Sequence, residues 1–195
     1  MAYKGAAGPV RMSGQDIEIK GIFMFKKLFF ILAAFGLAAC TSTYRHSEFQ
    51  IPAAKLNPSK GVIIVVPDDG WYGSIHYKNS GRMTAHAVRA AFAKHASRTV
   101  LVSDCAGTEC MAQADIARFG YFVKPVILHW EDRATEWSVK PDRIEIQLVI
   151  YDAVTLTEIA SASYMGKSKL ATLGGDHPQD MLSEPTDKYV SSLYK

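Results

Sequence analysis

Gly61-Val-Ile-Ile-Val-Val66, closed by Pro67, is the stretch on which the fold turns. An unbroken β-branched run with no polar position reads as a strand covered on both faces, the pattern of a sheet with helices packed on it. Downstream, Gly81 to Ala96 has helical spacing. Ala87, Val88, Ala91, Phe92 and His95 share one side, and Arg82, His86 and Arg89 share the other. Thr99-Val-Leu-Val-Ser103 reads as a second strand, and Thr108–Phe119 as a shorter, weaker helix. A long loop, Asp68 to Ser80, separates the first strand from the first helix.

Three longer strands follow. Tyr121–Trp130 contains Pro125, which predicts an edge strand or a bulge. Arg143–Asp152 alternates Ile144, Ile146, Leu148 and Ile150 with Arg143, Glu145 and Gln147, the clearest strand signal in the chain. Glu158–Leu170 is more polar, as befits a solvated edge. Pro178–Asp180 and Ser183-Glu-Pro-Thr186 open helical turns, and a last helix runs to about Tyr194, packing Tyr189, Val190 and Leu193. The predicted order β-α-β-α-β-β-β-α gives an α/β fold. It is a two-layer sandwich with a mixed sheet of about five strands and helices mostly on one face.

The chain has 195 residues, 48% hydrophobic and 21% charged, which fits one globular domain. Its net charge of +3 is concentrated at the front. Residues 1–39 hold five basic and two acidic side chains, which leaves 17 of each beyond them. Bulk charge therefore supports no nucleic-acid partner. Met24-Phe-Lys-Lys27 and the apolar run Leu28–Ala39 have the layout of an export signal, too short to span a bilayer comfortably. Leu37-Ala-Ala-Cys40 resembles the lipobox of bacterial lipoproteins, which implies lipid on Cys40. Two or three acyl chains hold firmly where one does not. With Thr41 and Ser42 after the cysteine, rather than Asp, the resemblance implies the outer membrane, facing the periplasm. Met1–Phe23 reads as an over-called start or an extension, because Asp16 and Glu18 stand ahead of a better start at Met24. Residues 40–60, polar and broken by Pro52 and Pro58, read as a flexible tether, and 61–195 as a single periplasmic domain.

Four motifs bear on chemistry. Cys105 and Cys110, with four residues including a glycine between them, read as a loop disulfide in an oxidising compartment. A metal site would want more ligands nearby, and a thioredoxin-like pair wants two intervening residues. Asp68-Asp-Gly-Trp-Tyr-Gly73 lies after a strand, where α/β folds bind ligands, but neither phosphate-binding glycine motif is present. An ordered aromatic loop covering the sheet end is the simpler reading. His129-Trp-Glu-Asp-Arg-Ala-Thr-Glu-Trp137 is the densest polar and aromatic cluster. Its carboxylates and histidine suit cation binding or acid–base work, although neighbours in a strand point to opposite faces. The simpler reading is a hairpin whose charges pair with Arg133 and Arg143 while the tryptophans lie on the sheet or present a partner surface. Gly174-Gly-Asp-His-Pro-Gln-Asp180 is a turn whose Asp176 and His177 join that cluster if the loop folds over it. No serine sits in a nucleophile elbow.

Ser80-Gly-Arg-Met-Thr-Ala85, Leu128–Trp137, Pro141-Asp-Arg-Ile144 and Gly174–Asp180 resemble an uncharacterised family of proteobacterial lipoproteins, a domain of unknown function. The resemblance covers about residues 60–194. The family implies no activity, cofactor or catalytic residue, and Cys105 and Cys110 are not part of its motifs. More loosely, the element order is similar to periplasmic domains of the curli-secretion lipoprotein, lipoprotein activators of penicillin-binding proteins and the TolB amino-terminal domain. These dock onto envelope proteins. The expectation is a non-enzymatic, lipid-anchored adaptor or envelope-assembly protein without a cofactor, contacting an envelope partner through Trp71, Tyr72, Trp130 and Trp137. The alternative is a small-ligand or metal-binding module using His129, Glu131, Asp132, Asp176 and His177.

Overall fold

In the computed structural model, the described residues are 42–103, 119–133, 140–168 and 177–195. The chain divides into two units after Thr41, and all of these residues belong to the second, Ser42–Lys195. The export segment 24–39, Cys40, the expected helix over 108–118, Cys105, Cys110, Trp137 and Asp176 lie outside the described residues.

The strands in chain order are β1 (Thr43–Gln50), β2 (Gly61–Val65), β3 (Gly70–Tyr72), β4 (Ile75–Tyr77), β5 (Thr99–Val102), β6 (Phe119–Glu131), β7 (Arg143–Asp152) and β8 (Glu158–Lys167). Helix α1 (Ser80–Phe92) follows β4, and a 3-10 turn (Pro178–Met181) leads into α2 (Ser183–Tyr194). Among the described residues, six strands form one mixed sheet in the order β1-β8-β7-β6-β2-β5, and β3 pairs with β4 in a separate small hairpin.

β2 is buried at every position, as its unbroken apolar run predicts. It runs parallel to β5 on one side and β6 on the other. Val62 and Ile64 share a core with Val88 and Phe92 of α1 and Tyr189, Val190 and Leu193 of α2. Ile63 and Val65 turn to the opposite face with Phe119 and Phe122. β7 delivers Ile144, Ile146, Leu148 and Ile150 to the helix side of the sheet, all fully buried. The α/β sandwich and its mixed sheet stand as expected. At the centre of the helix-covered face the Tyr164 hydroxyl lies 2.6 Å from Thr186 Oγ1, which itself donates to the Leu182 carbonyl at 2.6 Å. This chain of hydroxyls ties β8 to α2, and burial pushes the Tyr164 phenol well above its ordinary range.

Pro125 sits inside the sheet, paired with Leu148 of β7. The β2 ladder ends opposite Val123, so the proline meets no second partner strand there, and the bulge expected of β6 falls between Ile127 and His129.

Two expectations are corrected. The sheet has six strands rather than about five, and the additional one lies in the expected tether: Thr43–Gln50 pairs antiparallel with β8 over nearly its whole length. Almost all its side chains are exposed, so backbone hydrogen bonds hold it and hydropathy gives no sign of it. Further along, Leu56 is buried and its N–H donates to the Leu193 carbonyl at 2.8 Å, so the stretch before β2 is docked as well. β8, which reads as a solvated edge, is thereby covered by β1.

Candidate functional site

The loop between β2 and α1 is built around two close approaches. A Cβ on Gly70 would lie 2.6 Å from the Cβ of Trp130, and one on Gly81 would lie 2.1 Å from the Pro67 carbonyl oxygen. Only glycine lets the backbone come this near. Asp69 fastens the loop to the helix. Its Oδ1 accepts the Gly81 N–H at 2.8 Å and its Oδ2 accepts the Asn79 N–H at 3.0 Å. The Ser80 hydroxyl accepts the Gly70 N–H and donates to the Tyr77 carbonyl, both at 2.7 Å, closing the β3–β4 hairpin. The amides at the start of α1 that would cradle a phosphate are thus met by the chain's own carboxylate.

This framework holds an apolar edge in water. Trp71 is 58% exposed, Tyr72 40% and Ile75 53%. The Trp71 ring stacks on His76 with centroids 4.3 Å apart. Tyr72 lies edge-on to His129 at 5.2 Å, and the Arg133 guanidinium sits 5.9 Å from its ring centre. The ordered aromatic loop over the sheet end is therefore present, as a short hairpin.

Trp130, offered as a partner contact, and Glu131, offered as a ligand or metal residue, are both buried. Trp130 is 2% exposed and forms the floor under Gly70, because the bulge before it sets its ring toward the core. Glu131 is buried and holds Arg133 in an ion pair, with His129 Nε2 3.3 Å from its other oxygen. Burial alone would raise the Glu131 pKa, but the hydrogen bond from Arg133, that from His129 and the arginine charge outweigh it, and the net direction is downward.

Beside this pair the structure brings together Asp132, Asp142 and His177, whose ligand-type atoms all lie within 4.8 Å of one another. His177 Nδ1 is 3.7 Å from Asp132 Oδ1. Asp142 Oδ1 accepts the Arg133 N–H at 2.6 Å, and Asp142 is pinned through its backbone to Ser168 by two further hydrogen bonds. Burial raises the Asp142 carboxyl pKa, and the charges of Asp132 and Glu131 add to it against the Arg133 hydrogen bond and His177. His177 thus lies beside the end of β6, the arrangement that the sequence reading leaves conditional on the loop folding over the cluster. Asp142 carries no role in the sequence reading, although it stands in the Pro141-Asp142 pair that opens β7. Ser80, Gly70 and Asp69 were likewise legible only as loop residues.

Residues 54–193 match DUF4823, a domain of unknown function. The chain belongs to this family. The DUF4823 match runs from just before β2 to the end of α2 and takes in the hairpin, Trp130 and the Asp132–His177 cluster. No curated protein matches the chain in sequence. Among solved structures, it is similar to the PelC dodecamer of Paraburkholderia phytofirmans. The identity is 12% and the TM-score 0.58, over 78% of this chain and 97% of that one. A Xanthomonas campestris protein of the family DUF330 is 13% identical with a TM-score of 0.48, covering 74% and 90%. The lipoprotein GNA1162 of Neisseria meningitidis is 10% identical with a TM-score of 0.38, covering 68% and 99%. The likeness to PelC is one of fold. Among the described residues no helix is long and apolar enough to cross a membrane.

Proposed function

We propose that this DUF4823 protein is a lipid-anchored lipoprotein of the outer membrane, facing the periplasm, that works by docking a protein partner and not by catalysis. The observation that carries the reading is the exposed edge Trp71, Tyr72 and Ile75, held on a rigid seat by Gly70 against Trp130 and by Ser80 and Asp69. Aromatic side chains fixed before binding lose little entropy on contact and anchor interfaces well. Cys40 supplies the anchor, and Thr43 opens β1 only three residues later. At about 3.5 Å per residue that leaves roughly 10 Å of slack, so the docking domain works close to the bilayer.

The test is cellular. Trp71→Ala with Ile75→Ala should reproduce the phenotype of removing the protein, with its level, membrane fractionation and melting temperature unchanged. A double variant that behaves as wild type in partner capture and phenotype contradicts the reading. Cys40→Ser should move the protein from the membrane fraction to the soluble periplasm.

A further inference from the structure

We propose that Asp132, Asp142 and His177 form a binding site for a divalent first-row transition-metal ion, beside the docking edge and independent of the docking reading. Three chain segments converge to make it: the residue after β6, the residue before β7, and the residue that opens the 3-10 turn. Forty-five residues separate the first and last of them, so local sequence does not explain their meeting. Two carboxylates and one imidazole are a mixed oxygen and nitrogen donor set, which suits Mn2+ or Zn2+ better than Ca2+, an ion that takes oxygen donors alone.

The dimensions agree. An ion about 2.0–2.2 Å from each donor sets donors roughly 3–4.4 Å apart, against mutual separations of up to 4.8 Å here. Small side-chain rotations close the remaining gap. Asp142 and His177 also have support from behind. The Arg133 N–H fixes one oxygen of Asp142, while hydrogen bonds between Asp142 and Ser168 fix its backbone. His177 is set by Asp180, whose Oδ2 accepts the His177 N–H at 3.0 Å and whose own N–H donates to the His177 carbonyl at 2.9 Å. Such outer contacts orient ligands and are part of a working metal site. The Arg133 side chain is drawn away to Glu131 and Tyr72. Asp132 and Asp142 set two carboxylates beside an imidazole, and His177 is 48% exposed there, within reach of an entering ion. Water would complete the coordination shell.

The experiment uses the full-length chain, stripped with chelator and titrated with Mn2+ by electron paramagnetic resonance, in which bound ion loses the free six-line signal. Mn2+ is the probe because cysteine thiols compete poorly for it. One Mn2+ per chain should bind and be displaced by Zn2+ at lower concentration, following the order of divalent affinities, while Ca2+ displaces it weakly. Asp142→Asn keeps an oxygen for the Arg133 N–H, and His177→Ala truncates a half-exposed side chain, so both variants should fold as wild type by thermal melting. Each should weaken Mn2+ binding about tenfold or more. No bound Mn2+ at millimolar concentration, or binding that both variants leave unchanged, overturns the proposal.

Discussion

Gly70 lies so close to Trp130 that a Cβ on the glycine would fall 2.6 Å from the Cβ of the tryptophan. The contact explains why one tryptophan of the sequence is a floor and another a surface. Trp130 closes the core beneath the β3–β4 hairpin, and the hairpin lifts Trp71 into water directly above it. Gly70→Ala forces the two elements apart and should cost about 1–3 kcal/mol in chemical denaturation, the usual penalty for overpacking. A loss under about 0.5 kcal/mol would mean that the hairpin is not seated on β6 as described.

β1 gives a second prediction. As an edge strand bonded to β8 from Thr43 to Gln50, it should show alternating slow amide exchange, with the inward N–H groups protected and the outward ones fast. Uniformly fast exchange across these residues is the behaviour of a free tether and contradicts the pairing.

The hairpin turn between β7 and β8 depends on Asp152. Its Oδ1 accepts the N–H of Val154 at 2.8 Å and of Thr155 at 2.9 Å, and the Thr155 hydroxyl at 3.3 Å. The Thr155 amide, helped by that of Val154, overcomes the opposing effect of burial and holds the carboxyl below its ordinary value of 3.8. A carboxyl with a lowered folded-state pKa adds stability above its unfolded value that is withdrawn as pH falls. Asp152→Asn should therefore be less stable than wild type at pH 7, with the difference shrinking once pH drops below about 3.8. Melts at neutral and acidic pH decide it: a difference that stays constant removes the carboxylate's role.

Much of this architecture was legible from residue pattern. The runs at 61–66 and 143–152 announce a doubly covered strand and a one-face strand because side-chain burial dictates their composition. β1 was not legible, since its energy lies in main-chain bonds that any residue can make. In the candidate site, the glycine-hinged turn offers His177 to the β6 cluster only if the loop folds over it, whereas nothing in the sequence points to Asp142. A lone Pro-Asp pair before a strand looks like a turn until the sheet register sets it beside the end of β6. The sequence leaves Trp130 open between the sheet and a partner surface for a related reason: the bulge at Ile127–His129 shifts which face each later residue meets, and alternation alone does not reveal a bulge.

The hydroxyl pair that joins β8 to α2 can be weighed directly. Tyr164→Phe keeps the ring and removes the hydrogen bond to Thr186 Oγ1. It should lower stability by about 0.5–1.5 kcal/mol, the net contribution of one such bond. No change in the denaturation midpoint would show that the contact is idle.

The proposed docking role of the hairpin is tested most directly by a photo-crosslinking residue at Trp71 in intact cells, with the same residue at Lys94, on the C-terminal side of α1, as control. One dominant protein adduct at Trp71 and none at Lys94 is the expected result, and the adduct's mass separates an envelope partner from a second copy of this chain. A folded, membrane-bound protein that gives no adduct at Trp71 would contradict the account.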